Sequence, residues 1–197
     1  MILAVDPGLA TCGWSVLDDR GRVQDLGAIL TERDATIDES TDRARRVDQQ
    51  AQKLGEVARR HNVRMIGCEA MSFGGPPAAR FHMAISVGLS WGVVAGVART
   101  LGLALYSVAP KLWQRAAQPG AGKRVNYDKL EKALDAYVAG QGPRAIASLA
   151  VIAKSNRNHA LDAVGIGVFV ALRREQADRI VNERAAARSQ LYPTEAT

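Results

Sequence analysis

Three short stretches of this 197-residue chain carry side chains that could do chemistry together. Asp6-Pro7-Gly8 follows the apolar run of residues 2–5, and Glu69 follows a second run over 63–68. His159 and Asp162, in His159-Ala160-Leu161-Asp162, open an apolar helical stretch and, three apart, share one helix face. Each carboxylate stands where an element ends and can project into a common cleft. If the two runs are parallel neighbours in a sheet, their backbones lie about 4.8 Å apart and Asp6 and Glu69 sit side by side. Anions held this close repel and raise one another's pKa. A divalent cation removes the conflict, and carboxylate ligands with retained waters suit Mg²⁺ or Mn²⁺. Two such ions about 3.5–4 Å apart can activate a water and stabilise a leaving oxygen at phosphorus. Singly, the motifs have plainer readings: a turn, a strand end, a helix surface or cap. It is their joint occurrence that points to a metal-dependent site.

The elements that must position these groups follow from periodicity and turn signals. Residues 2–5, 12–18 and 22–30 read as three antiparallel strands, with a turn at Asp19-Arg20-Gly21. A polar loop over 31–40 leads to an amphipathic helix over 41–61, with Val47, Ala51, Leu54, Val57 and Ala58 on its apolar face. A strand over 63–68, a Gly/Pro-rich loop over 72–77, a long apolar helix over 78–101 and a strand over 102–108 come next. Pro110 opens a short helix through Gln114, and further helices are expected over 126–139 and 157–174, the last with room to run on to about 188. The stretch 140–155 has space for one more short helix. Strand–helix–strand–helix–strand implies a parallel portion with right-handed crossovers. The expected fold is α/β: a five-stranded mixed sheet covered by helices on both faces. The domain spans 1–175, and 176–197 forms a basic C-terminal helical extension or tail.

Charge and composition narrow the function. Hydrophobic residues make up 47% and charged residues 23%, which is globular rather than disordered. The net charge is +6, but residues 1–40 carry −5 and residues 41–197 carry +11. That imbalance points to a polyanionic partner, nucleic acid first. Cys12 and Cys68 lack metal-ligand spacing and read as buried free thiols of a reducing compartment. The N-terminus has no basic leader pattern. Residues 81–98 carry no formal charge, but His82, Ser86, Ser90 and three glycines make them a buried helix rather than a membrane span. A cytoplasmic, nucleoid-associated protein is expected.

At this point the residues resemble a family. Ile2-Leu3-Ala4-Val5-Asp6-Pro7-Gly8-Leu9-Ala10-Thr11-Cys12-Gly13-Trp14, Gly67-Cys68-Glu69-Ala70, Val87-Gly88-Leu89-Ser90-Trp91-Gly92, Pro110-Lys111, Gly120-Ala121-Gly122-Lys123 and His159-Ala160-Leu161-Asp162-Ala163 look like blocks of the RuvC family of Holliday-junction resolvases. The resemblance covers most of 1–173. It implies an RNase H-like fold, a homodimer, and Mg²⁺- or Mn²⁺-dependent cutting of two opposing strands of a four-way DNA junction, leaving 5′-phosphate and 3′-hydroxyl ends. It implies that Asp6, Glu69, His159 and Asp162 are the metal-binding catalytic set, with His159 a ligand or a water positioner. Phe73 corresponds to an aromatic that can wedge into the junction centre, and Lys111 and Lys123 to basic positions that meet phosphates. Arg115 and Arg124 are nearby helpers. The chain departs from the family in a longer stretch between Lys111 and Gly120, an enlarged segment over 139–156 and an extra basic tail.

Other features are read more plainly. The run Gln118–Arg124 fails as a nucleotide-binding P-loop, because position 117 is Ala and position 124 is Arg, but it could form a backbone pocket for a DNA phosphate. Gly88, Gly92 and Gly96 form a row on one helix face, extended by Ala84 and Thr100. Close approach of another backbone is expected there, with packing inside one chain preferred to a second subunit. His61 ends the first long helix, where a cation suits the dipole, and His82 reads as core or loop. Trp14, Trp91 and Trp113 read as core anchors. Three alternatives stand beside the junction nuclease: a junction-binding protein with a weakened site, an actin-like or sugar-kinase ATPase built on Asp-x-Gly, and a nuclease of the same fold acting on RNA or RNA–DNA hybrids.

Overall fold

The computed structural model describes residues 1–71, 77–118 and 126–173, with the backbone alone at 77–83, 143 and 144. Five strands form one sheet: β1 (Ile2–Asp6), β2 (Thr11–Leu17), β3 (Val23–Leu30), β4 (Met65–Glu69) and β5 (Ala104–Val108), in the spatial order β3-β2-β1-β4-β5. β1 pairs antiparallel with β2, and β2 with β3, while β1–β4 and β4–β5 are parallel. The expected mixed sheet is therefore present, with β1 at its centre. As a strand buried on both faces, β1 is a continuous apolar run up to Asp6.

The helices are α1 (Glu39–Arg60), α2 (Pro77–Thr100), α3 (Pro110–Ala117), α4 (Tyr127–Ala139), α5 (Pro143–Ala150) and α6 (Lys154–Leu172). α1 and α2 cover one face of the sheet through Leu54, Val57, Val93, Val94 and Val97, packed on Leu3, Val5, Cys12 and Ile66. α3 to α6 cover the other through Trp113, Leu130, Leu149, Leu161 and Val170, packed on Ile2, Ala4 and Leu17. Asp38 caps α1, its carboxylate accepting from the backbone N–H groups of Ser40 and Thr41.

Several boundaries move from those expected. β5 begins at Ala104 rather than 102, because Gly102 turns with φ +66° after α2. α3 runs to Ala117, a full turn past Gln114, since Trp113 and Ala117 both reach the core. α5 occupies the enlarged segment, and α6 starts three residues early, at Lys154. The expected continuation to 188 and the tail 176–197 lie outside the described residues. Cys12 and Cys68 are buried free thiols, and burial pushes the Cys12 thiol up to about 12.

The glycine row corrects the expectation placed on it. A Cβ on Gly88, Gly92 or Gly96 would meet nothing within 4 Å among the described residues, so the row packs against no neighbouring backbone among them. It lines an apolar groove of about 800 Å³ between α1 and α2, with Val47, Ala51 and Leu89. Helical spacing groups residues on a face; it does not say what lies opposite. Trp14 and Trp91 are only partly buried, beside the α1/α2 core, whereas Trp113 is fully buried. Among the described residues no helix is long and apolar enough to cross a membrane.

Candidate active site

Strand parity places the first two carboxylates. Ile2 and Ala4 face the α6 layer, so Asp6 does too; Met65 and Gly67 face the same layer, so Glu69 follows them. The parallel register Val5↔Cys68 sets the next pair, Asp6 and Glu69, side by side at the ends of β1 and β4.

α6 brings the other two groups to them. Its first turns cross the end of β2 at Gly13, where a Cβ would stand 2.0 Å from the carbonyl oxygen of His159. Only glycine permits that approach, and the approach delivers the imidazole: His159 Nδ1 lies 2.7 Å from Asp6 Oδ2. Thr11 Oγ1 donates to Asn156 Oδ1 at 3.3 Å, tying the first turn of α6 to the start of β2. Asp162 is one helical turn deeper.

The electrostatics are those of crowded anions. Burial first, and then Asp6, push the Glu69 carboxyl up to about 7. Burial, and then Asp6 and Glu69, push Asp162 up to about 7. The hydrogen bond with Asp6 raises His159 above its ordinary value. In the neutral tautomer with its proton on Nδ1, toward Asp6, the ring would present Nε2 as the acceptor.

Trp113 contributes what a core anchor alone would not. Its indole Nε1–H donates to Glu69 Oε2 at 3.0 Å, while its ring lies where a Cβ on Gly165 would come within 2.7 Å. The signal available in the sequence was general: a buried indole N–H takes a partner.

Of the basic residues singled out, Lys111 and Arg115 are exposed, four apart on α3, the helix that carries Trp113. Phe73, Lys123 and Arg124 lie outside the described residues, as does the side chain of His82. His61 does end α1, and its Nε2 lies 3.2 Å from Asp25 Oδ2.

Three carboxylates and an imidazole, two of the acids with carboxyl pKa pushed up to about 7 by burial first and then by neighbouring anions, make a donor set whose chemistry fits oxygen-loving Mg²⁺ or Mn²⁺. As they stand, no three His, Cys, Asp or Glu side chains among the described residues are grouped closely enough to hold an ion. Asp6 is engaged by His159 and Glu69 by Trp113.

No family model and no curated protein matches the chain. Solved structures do. Thermus thermophilus RuvC in complex with Holliday junction substrate aligns over 89% of this chain and 95% of its own, with a TM-score of 0.63 and 17% identity. This is the RNase H-like fold of RuvC. A second Thermus thermophilus RuvC structure gives a TM-score of 0.60 at 19% identity, with the same 89% and 95% coverage. The yeast mitochondrial Holliday junction resolvase gives 0.61 at 12% identity, over 92% of this chain and 81% of that one. The RuvC fold accounts for the sheet order and for the helices on both faces.

Proposed function

We propose that this chain is a metal-dependent endonuclease that resolves four-way DNA junctions by paired nicks on opposing strands, acting as a homodimer. The observation that carries the reading is the placement of Asp6, Glu69, His159 and Asp162 around one cleft, at the ends of two parallel strands and the first turns of α6, with His159 in contact with Asp6, in a basic chain. The junction-bound RuvC structure of like fold supports branched DNA as the substrate class. A four-way junction has two-fold symmetry, and one acidic cleft per chain needs a C2 pair to cut two strands.

Asp6, Glu69, Asp162 and His159 would hold Mg²⁺ or Mn²⁺, two ions per site. Bound ions would supply an activated water and charge relief at the leaving oxygen. The chain's own groups do the rest. Asp6 orients the imidazole of His159, so that Nε2 can act as a ligand or receive a proton from the attacking water. Trp113 fixes one oxygen of Glu69 and leaves the other to the cleft. Lys111 and Arg115 meet phosphates flanking the scissile one, and Lys123 and Arg124 are assigned the same task. Phe73 is assigned to stack on an unpaired base at the junction centre.

The test is cleavage of a mobile synthetic junction with Mg²⁺, Mn²⁺ or no metal, with products mapped to the nucleotide. Wild type is expected to give symmetric nicks with 5′-phosphate ends only with metal, and Asp6→Asn to bind the junction without cutting it. Undiminished cutting by Asp6→Asn would sink the assignment. A preference for RNA–DNA hybrid over junction would move the substrate class, and junction binding without cutting under every metal would leave a binding protein.

A further inference from the structure

The turn that follows Asp6 is gripped from the layer opposite His159. Gln50 sits midway along α1, on the apolar stripe between Val47 and Leu54, and is completely buried. Its Nε2 donates to the carbonyl oxygens of Gly8 at 2.8 Å and Leu9 at 3.1 Å. Its Oε1 accepts from Ser90 Oγ of α2 at 2.8 Å, and Ser90 is equally buried. The Leu9 carbonyl takes a further bond from Thr31 Oγ1, which accepts from Arg46 Nε, also on α1, at 2.9 Å.

Both donor hydrogens and the acceptor of the Gln50 amide are therefore used, all on buried or part-buried partners, and the amide orientation follows from that pattern. Burying an amide is unfavourable unless it is fully paired, and a hydrophobic side chain of similar volume would fill the stripe without that requirement. What distinguishes the amide is what it holds. The turn has no slack of its own: a Cβ on Gly8 would stand 2.4 Å from the Thr11 carbonyl oxygen. Two carbonyls of this tight turn are fixed two and three residues after Asp6. The direction in which β1 delivers its last side chain is thus set from the α1/α2 layer, while His159 meets that side chain from the α6 layer.

We propose that Gln50 is a positioning residue: with Ser90 as its anchor, it clamps the Pro7–Leu9 turn and holds the Asp6 carboxylate in the orientation that metal binding requires. The proposal rests on Asp6 being a metal ligand. Partners hydrogen-bonded directly to a metal ligand change metal affinity about 10–100-fold when lost, and Gln50, which acts through the backbone of the next turn, is placed at the low end of that range.

The test is direct Mn²⁺ binding, by electron paramagnetic resonance, to the full-length chain without DNA. Gln50→Met keeps the volume and removes the clamp. It is expected to weaken Mn²⁺ binding about tenfold in the wild-type background and to change nothing further in an Asp6→Asn background. Ser90→Ala, which leaves both carbonyl bonds in place, is expected to have a smaller effect in the same direction. Wild-type Mn²⁺ affinity in a folded Gln50→Met, with only the melting temperature lowered, would overturn the proposal and leave Gln50 a packing residue. If wild type and Asp6→Asn bind Mn²⁺ equally, the metal reading of Asp6 fails instead. Amide hydrogen exchange at Leu9, Ala10 and Thr11 then decides the clamp by itself: faster exchange in Gln50→Met sustains it, and unchanged exchange removes it.

Discussion

Glu69 and Asp162 share a buried cleft with Asp6, and the cost of that burial, with the neighbouring anion added to it, is legible as a proton balance. Both carboxyls sit near 7 in the folded chain, above the 4.5 and 3.8 of their ordinary values. Between those limits the folded state binds more protons than the unfolded one, so these groups stabilise the metal-free fold at acid pH and withdraw that stability as pH rises through about 7. His159, also raised, acts in the same direction. Urea unfolding in EDTA is expected to give lower stability at pH 8 than at pH 5.5. The difference should shrink in Glu69→Gln and in Asp162→Asn, and added Mg²⁺ should restore stability at pH 8. A pH profile identical in wild type and both variants would contradict the burial and crowding that raise these acids. At still lower pH the trend reverses. Asp38 accepts bonds from Ser40 and Thr41 that hold its carboxyl well below the usual range, and that contribution is lost as protonation begins.

The elements owe their arrangement to places where backbone must approach backbone or ring. Gly13 lets the first turns of α6 reach β2, and with them His159 reach Asp6. Gly13→Ala puts a methyl against the His159 carbonyl and is expected to destabilise the chain by about 1–3 kcal/mol through overpacking. It should lower junction cutting further than the stability loss explains, read as the rate per folded molecule at saturating Mg²⁺. The sequence carries the antiparallel meander and a parallel portion of the sheet, but the pairing of β1 with β4 enters there only as a condition on Asp6 and Glu69 standing side by side, and the structure supplies it. The sequence also carries the shared face of His159 and Asp162. It does not carry the bond from Trp113 to Glu69, since burial of the ring already accounts for that tryptophan and the direction of the indole N–H depends on where α3 lies. Gln50 escapes for a related reason: one amide on a 22-residue helix rich in polar side chains looks like solvent-facing surface until the turn it grips is in place.

Across the whole molecule the acids of the cleft sit inside a chain of net charge +6, and the proposed function assigns the basic side chains to phosphates away from the reacting centre. Lys111 and Arg115 are exposed on α3 and are proposed to meet phosphates rather than bases. Lys111→Ala and Arg115→Ala are each expected to weaken binding to junction and duplex alike, and to reduce the slope of log affinity against log salt by about 1. Fluorescence anisotropy over a salt series checks this, and an unchanged slope would remove α3 from the DNA contact. The open row Gly88, Gly92 and Gly96 has a consequence for protein engineering. Each glycine costs its helix about 1 kcal/mol relative to alanine, and a Cβ on each would meet nothing within 4 Å among the described residues. Gly92→Ala is therefore expected to raise the urea midpoint of the isolated chain. In any assembly that closes the groove, the same methyl becomes an obstruction. One substitution thus acts as a gauge: a gain in stability that persists at every protein concentration marks the groove as open in solution, and a gain that reverses on concentrating the protein marks it as covered.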